Sequence, residues 1–363
     1  MAGETVEILP SISNLSPALP ANVAQLPPPL AQFFSEKAEW GPRYLHVLQQ
    51  VCVSWHAVIF KNFRLFLPGL AAPHWEVYYN NSYLLKQWLG SMVSATDSSQ
   101  PMALVHDQWT RGNYYHWMVD ALPRLLALRK FYPDAVVIMP APMPGYVQQT
   151  ARLLGFEHFF LLEERQVLNV QTLLVPEHVA PLGYHNPLIL RQLRVEITSK
   201  LLPANAQPVP TRRIYVSRSR QEVRRLSNEV EVVKLLQLYD FESVYFEELS
   251  FTEQVLLMQN TAVLMGVHGA NLVNLMFLPA GSHVIELVNE DKFLKLANAN
   301  FENLIYSRMS SSLDLPYFVI PCRTLSGLPP ANNADVEVTL ADVEQFLQLH
   351  FPPASVVQRD IKE

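Results

Sequence analysis

Residues 262–287 read AVLMGVHGANLVNLMFLPAGSHVIEL, and the rhythm of this stretch decides the fold. Ala262-Val-Leu-Met-Gly-Val267 is an apolar run of strand length, and a run without alternation suits a strand buried on both faces. His268-Gly269-Ala270 is a turn of small residues. Ala270 to Phe277 reads as a short helix stopped near Pro279, which cannot donate a backbone hydrogen bond. His283-Val-Ile-Glu-Leu-Val288 is the next strand. Two buried strands joined through a helix lie parallel, because a parallel neighbour needs a crossover rather than a tight turn.

The alternation extends outward. Arg213 to Ser217 and Ser243 to Phe246 are rich in β-formers and read as strands. Helices fit at 228–238 and 250–259, where Asn228 with Glu231 and Ser250 with Glu253 have capping-box spacing. Four strands with helical crossovers make a doubly wound sheet. Thr339 to His350 is a further amphipathic helix. Upstream, Pro203-Ala-Asn-Ala-Gln-Pro-Val-Pro210 prevents a regular element and stiffens a connection. The half before it holds strands at 104–106, 135–139, 158–162 and 171–175 and helices at 113–131, 145–155 and 187–202. A strand-rich stretch at 44–60 precedes them. The expected class is α/β with two Rossmann-type domains. Residues 1–40 form an irregular Pro/Ser-rich arm, 41–205 an N-terminal α/β domain, 206–335 a nucleotide-binding domain, and 336–363 a helix and tail.

Composition agrees with two packed domains. The chain has 363 residues, 49% hydrophobic and 17% charged, enough apolar material for two cores. A formal net charge of −6 lacks the basic surplus of a nucleic-acid binder. Cys52 and Cys322 stand far apart in no metal-binding cluster and are expected as buried thiols. The N-terminus lacks a basic segment followed by an apolar core, and no apolar run reaches membrane-spanning length. A soluble cytoplasmic protein is expected, with docking at the inner face of a membrane left open.

In an open parallel sheet, ligands bind beyond the carboxyl ends of the strands. That rule selects Ser217-Arg218-Ser219-Arg220 with Arg224 and Arg225, the turn His268-Gly269-Ala270-Asn271, and Asn289-Glu290. Free N–H groups at a helix start, His268 and a cluster of arginines suit a diphosphate. Packing alone also explains a single His-Gly turn. Glu286, in mid-strand, needs a partner: a ribose hydroxyl or an internal arginine. Glu247-Glu248 is another ribose candidate. No Asp-x-Asp follows a strand to hold a divalent metal, His106-Asp107 being the nearest approach, so no metal or cofactor is expected.

The first half carries Asn113-Tyr-Tyr-His116-Trp-Met-Val-Asp120-Ala-Leu-Pro123-Arg124. Four-residue spacing puts His116, Asp120 and Arg124 on one helical face. A carboxylate beside an imidazole is a general-base arrangement. An Asp120–Arg124 surface ion pair beside an exposed His116 fits the same spacing. Pro123 predicts a kink or a separate short helix.

These blocks resemble glycosyltransferase family 61. Its Asn-x-x-His-x-x-x-Asp segment is matched by Asn113, His116 and Asp120, and its Ser-Arg, Arg and Asn-Glu by Ser217-Arg218, Arg225 and Asn228-Glu229. Its Gly-x-His-Gly-Ala-x-Leu-x-Asn block, followed by Leu-Pro and Ile-Glu, is matched by Gly266–Asn274, Leu278-Pro279 and Ile285-Glu286. The resemblance implies a GT-B-like fold, two Rossmann-type domains facing a central cleft, and inverting, metal-independent transfer from a UDP-sugar. The acceptor would be a hydroxyl of a glycan or lipid-linked glycan, in surface polysaccharide or capsule synthesis. It casts His116 or Asp120 as the base. It casts Arg218, Arg220, Arg225, Asn228, His268, Gly269, Ala270, Asn271 and Glu286 as nucleotide-sugar ligands, with Asn113 and Arg124 on the acceptor. An epimerase or hydrolase, or a non-catalytic nucleotide-sugar binder, would share much of this.

Overall fold

The computed structural model describes residues 3–35, 37–94, 100–203, 206, 208–291, 304–325 and 333–353. The chain forms two compact units, one of residues 1–14, 39–181 and 188–200, the other of residues 15–38, 182–187 and 201–363. The 203–210 connection carries no helix or strand at its described residues, and residues 204, 205 and 207 lie outside them.

The second unit is built on a six-stranded sheet. Its order is Phe241–Val244, Arg212–Val216, Thr261–Val267, His283–Asn289, Tyr317–Thr324, Val336–Glu337. The first five are mutually parallel and the last is antiparallel. In chain order the parallel strands run 2-1-3-4-5, the doubly wound arrangement whose order reverses between the first and third strands. Those two strands are Arg212–Val216 and Thr261–Val267, with Val216 opposite Gly266. The central strands bury Tyr215, Val263, Met265, Val267, Ile285 and Leu287 against the helices Glu229–Gln237 and Leu340–His350, through Val232, Leu236, Val343 and Leu347.

Strand Tyr317–Thr324 is an addition to the expected elements, and it holds Pro321, a residue disfavoured in central strands. Its outer neighbour pairs only from Arg323 onward. Before that point the outer edge is met by the supposed arm: Ala21 N–H donates to Tyr317 O, and the Asn22 side chain bonds both backbone groups of Val319. Part of the lead-in therefore covers a sheet edge.

The first unit departs further from expectation. Its sheet is mixed, not Rossmann-type. Phe159–Leu162, Val136–Pro140, Met102–Ala103 and Gln166–Pro176 are parallel neighbours. Gln166–Pro176 then pairs antiparallel with the twelve-residue strand Arg43–Ser54. Ile59–Lys61 and Arg64–Leu65 continue antiparallel from it, and Glu4–Leu9 lies antiparallel on the same long strand. Two strands were expected at 44–48 and 51–55. One strand forms instead, with Gln50 in left-handed backbone (φ 51°) and pairing continued on both sides. Leu48, Val51, Val53, Leu104, Ile138, Leu168 and Leu173 form its core. Cys52 and Cys322 are free thiols, Cys322 buried and Cys52 partly exposed.

Candidate functional site

In the second unit the strand Arg212–Val216 ends directly at Ser217 and Arg218, beside the turn that follows Thr261–Val267. Arg218 is buried. Its Nε donates to Arg224 O and its Nη2 to Val223 O, both at 3.1 Å, and its backbone N–H donates to Glu229 Oε1 at 3.1 Å. Glu229 also accepts from Tyr215 Oη at 2.7 Å, tying the loop to helix Glu229–Gln237. The remaining nitrogen, Nη1, lies against Gly269. A Cβ at position 269 would stand 2.1 Å from Nη1 and 2.8 Å from Cζ. Gly269 has φ 170°, an extended conformation open to any residue, so the close approach of Arg218 is what requires glycine.

The turn is braced from below. His268 Nδ1 lies 2.5 Å from Glu286 Oε1, and Tyr317 Oη donates to Glu286 Oε2. Glu286 is fully buried. It therefore pairs with neither an arginine nor an exposed ribose site; an imidazole and a phenol hold it. Its acceptance from Nδ1 fixes the His268 tautomer. Burial, and then the Glu286 charge, raise the Tyr317 phenol well above its ordinary range. Tyr306 Oη donates to Gly269 O at 2.5 Å, and its ring meets His268 edge-on at 5.3 Å. Glu286→Ala leaves Tyr317 and His268 without this acceptor. The expected result is a loss of about 2–4 kcal/mol in urea unfolding. An unchanged midpoint would show that the brace contributes nothing.

Two donors here lack protein partners among the described residues: Asn271 Nδ2 and Arg224 Nε, both buried. Arg224 has left-handed backbone (φ 58°), costly for a side chain with a Cβ. Burial first, and then the Arg224 charge, lower Arg218 from its usual value. Two guanidiniums held this close favour an anion between them. Ala270, half-buried, opens the 3₁₀ helix Ala270–Phe277 beside them.

Three expected ligands are engaged elsewhere. Exposed Arg220 pairs with Glu248 and lies over the Tyr245 ring. Arg225 pairs with Asp335 at 2.8 Å, so the neighbouring Arg224, which the strand-end rule selects but the family resemblance does not, is the arginine beside Arg218. Asn228 makes no cap; its Nδ2 donates to Val338 O at 2.7 Å and its Oδ1 accepts from Val338 N–H. Arg224 N–H donates to Asn333 O, and Ser227 N–H to Val336 O. Segment 333–338 thus straps the arginine loop. The Ser250–Glu253 capping box forms as expected.

The first unit holds the other cluster. Asn113 caps the short α-helix Tyr114–His116, accepting from the His116 N–H at 3.3 Å, rather than presenting that oxygen to an acceptor. A π turn, Trp117–Ala121, follows, and then helix Leu122–Arg129 with Pro123 in its first turn. The break expected at Pro123 is this π turn, a feature that recurs at functional sites. His116 Nδ1 lies 2.7 Å from Asp120 Oδ2, and Trp109 stacks on the imidazole at 5.6 Å. Arg124 is not on the surface. It is 2% exposed and donates to Pro176 O and Val105 O, both at 2.7 Å, with Asp107 Oδ2 at 3.6 Å. The alternative Asp120–Arg124 surface pair is replaced by an interior one, and Arg124 does not present itself to an acceptor.

His178 completes the cluster, and sequence reasoning missed it. Its Nε2 lies 2.9 Å from Asp107 Oδ2, and its Nδ1 lies 3.8 Å from Asp120 Oδ1. Asp107 Oδ1 accepts from the Trp109 and Thr110 N–H groups. Burial alone would raise the Asp107 carboxyl; His178 and then Arg124 overcome it and hold the group well below its usual range. Burial and Arg124 push His178 down, but Asp107 and Asp120 outweigh them and raise it to about 9. The strand-end rule could have found both residues. Asp107 and His178 follow the adjacent parallel strands Met102–Ala103 and Gln166–Pro176.

The model of the family described as Glycosyltransferase 61 matches residues 114–285, a segment holding His116, Asp120, His178, Arg218, Arg224 and His268. That matched segment, just under half of the chain, is similar to the glycosyltransferase 61 family. The chain is similar to the EGF domain-specific O-linked N-acetylglucosamine transferase of Drosophila melanogaster, 34% identical over 133 residues, covering 33% of this chain and 25% of the relative. The Bos taurus protein of the same name is 30% identical over 156 residues, 40% of this chain and 28% of the relative. The Protein O-linked-mannose beta-1,4-N-acetylglucosaminyltransferase 2 of Mus musculus is 30% identical over 228 residues, 53% of this chain and 38% of the relative. The matches span well under half the length of these relatives. No helix of the described residues is long and apolar enough to cross a membrane.

Proposed function

We propose that this chain is an inverting glycosyltransferase that moves N-acetylglucosamine from its UDP-activated form to a hydroxyl of a glycan or glycoprotein. The observation that carries the reading is the Arg218–Gly269 contact at the strand-order reversal, with buried donors of Arg224 and Asn271 beside it. A diphosphate brings acceptor oxygens to those donors, and charge developing on it as the sugar bond breaks is stabilised by groups already in place. Arg218 and Arg224 supply the positive charge, so transfer is proposed to proceed without a metal. In the first unit, His116 donates from Nδ1 to Asp120, and its Nε2 takes the acceptor proton. The oxygen so freed attacks the anomeric carbon from the face opposite the diphosphate, which inverts the configuration. The sugar is proposed from the relatives' printed names. Those names also describe protein-linked acceptors, which draws the reading away from capsule synthesis.

Calorimetric titration with UDP, GDP and CMP, with and without a chelator, tests the donor site. UDP is expected to bind tightest and to be indifferent to chelation. Preference for another nucleotide overturns the UDP assignment, and chelator-sensitive binding overturns the metal-free one. Incubation with UDP-N-acetylglucosamine and no acceptor separates the neighbouring activities: rapid epimerisation or hydrolysis would sink the transferase reading.

A further inference from the structure

Resting on that reading of His116, the inference concerns the charge balance around it. His116, Asp120 and Arg124 come from one helical run, Asp107 from the loop after Met102–Ala103, and His178 from the end of Gln166–Pro176. Facing His178 are Asp107 at 2.9 Å and Asp120 at 3.8 Å, with Arg124 beyond Asp107. Facing His116 are Asp120 and the rings of Trp109 and Tyr115. Glu177 is next to the cluster and pairs with His46 at 2.9 Å, with Arg43 close by. His106 is buried, and burial lowers it to about 4, so it brings no charge at neutral pH.

The cluster thus holds two carboxylates, Asp107 and Asp120, and one permanent cation, Arg124. One positive charge is missing, and two imidazoles compete to supply it. His178 lies between both carboxylates, whereas His116 touches only Asp120.

We propose that His178 is a positioning residue that carries the second positive charge of this network, so that His116 remains a neutral imidazole able to accept a proton. The raised His178, about 9, agrees with this placement. Asp120 is then shared: one oxygen orients His116, and the other faces a cation that cancels much of its charge. Without that cation, Asp120 would hold a proton on His116, and the base would be occupied before the acceptor arrived.

The test compares kcat/KM against pH for the native chain, His178→Gln and His178→Lys. His178→Gln removes the charge. The acid limb is expected to move up by about one pH unit, the size expected for loss of one nearby charge. Below the limb activity then falls by up to about tenfold, recovers at higher pH, and UDP affinity is unchanged. His178→Lys restores a cation and returns the limb toward its native position. An equal loss at every pH, with the limb unmoved, overturns the proposal and leaves His178 a packing residue. If the native chain transfers no sugar, the functional reading fails, and NMR titration of the imidazoles decides the charge assignment alone. In His178→Gln, His116 is expected to take up its proton at higher pH than in the native chain; no change overturns the inference. Should the variant not fold, native His178 must still be seen protonated through pH 7, and a neutral ring there also overturns it.

Discussion

Arg218→Ala is expected to weaken UDP binding about 30- to 1,000-fold, equivalent to about 2–4 kcal/mol. The expectation is large because the guanidinium is already oriented. Two backbone carbonyls hold Nε and Nη2, so little side-chain freedom is left to lose on binding. Truncation also leaves the Val223 and Arg224 carbonyls without those donors, so about 1–2 kcal/mol of fold stability should go with it. Thermal unfolding beside calorimetry separates the two losses. Arg218→Lys should recover little, because an ammonium cannot span both carbonyls and a phosphate. Gly269→Ala should resemble the Arg218 variants, since its Cβ would stand 2.1 Å from Nη1 and displace the guanidinium. UDP affinity kept within about twofold in Arg218→Ala would show that the leaving group binds elsewhere.

His116→Ala is expected to act on the opposite quantity. Loss of a general base lowers kcat by about 10²–10⁴-fold. UDP affinity should stay unchanged, because His116 belongs to the first unit and the proposed phosphate donors to the second. His116→Gln is the stricter variant, since it keeps most of the volume under Trp109. Asp120→Asn should lower kcat less than His116→Ala, because the amide still accepts from Nδ1 but no longer supports a developing imidazolium. Steady-state kinetics with UDP calorimetry on the same samples checks the split. A fall in UDP affinity with normal kcat would remove His116 from the chemistry.

The second unit was legible because its strands are short, apolar and separated by helices of ordinary pattern. Local periodicity therefore reported the long-range pairing. Strand Tyr317–Thr324 escaped because a proline's cost depends on whether its edge is paired, which only the fold decides. The first unit was less legible for a related reason. Its longest strands pair antiparallel across more than a hundred residues, and nothing local marks Gln166–Pro176 as the partner of Arg43–Ser54. At the site, spacing brought His116 to Asp120 and the strand-end rule found Arg218 and His268. Spacing could not tell Arg224 from Arg225. The partner that claims Arg225, Asp335, lies far along the chain. His178 stands just past a strand end, but its carboxylates come from two other segments, so its pairing was not legible locally.

The strap at 333–338 gives the arginine loop a long reach. The backbone that carries Arg224 is hydrogen-bonded to residues more than a hundred positions downstream, and Arg225 and Asn228 spend their side chains on the same segment. The position of the arginine loop is thereby tied to the register of a peripheral strand. Substitution of Asp335, more than a hundred residues downstream, removes the side chain that holds both the Arg225 backbone N–H and its guanidinium, and so loosens the loop that carries Arg218 and Arg224.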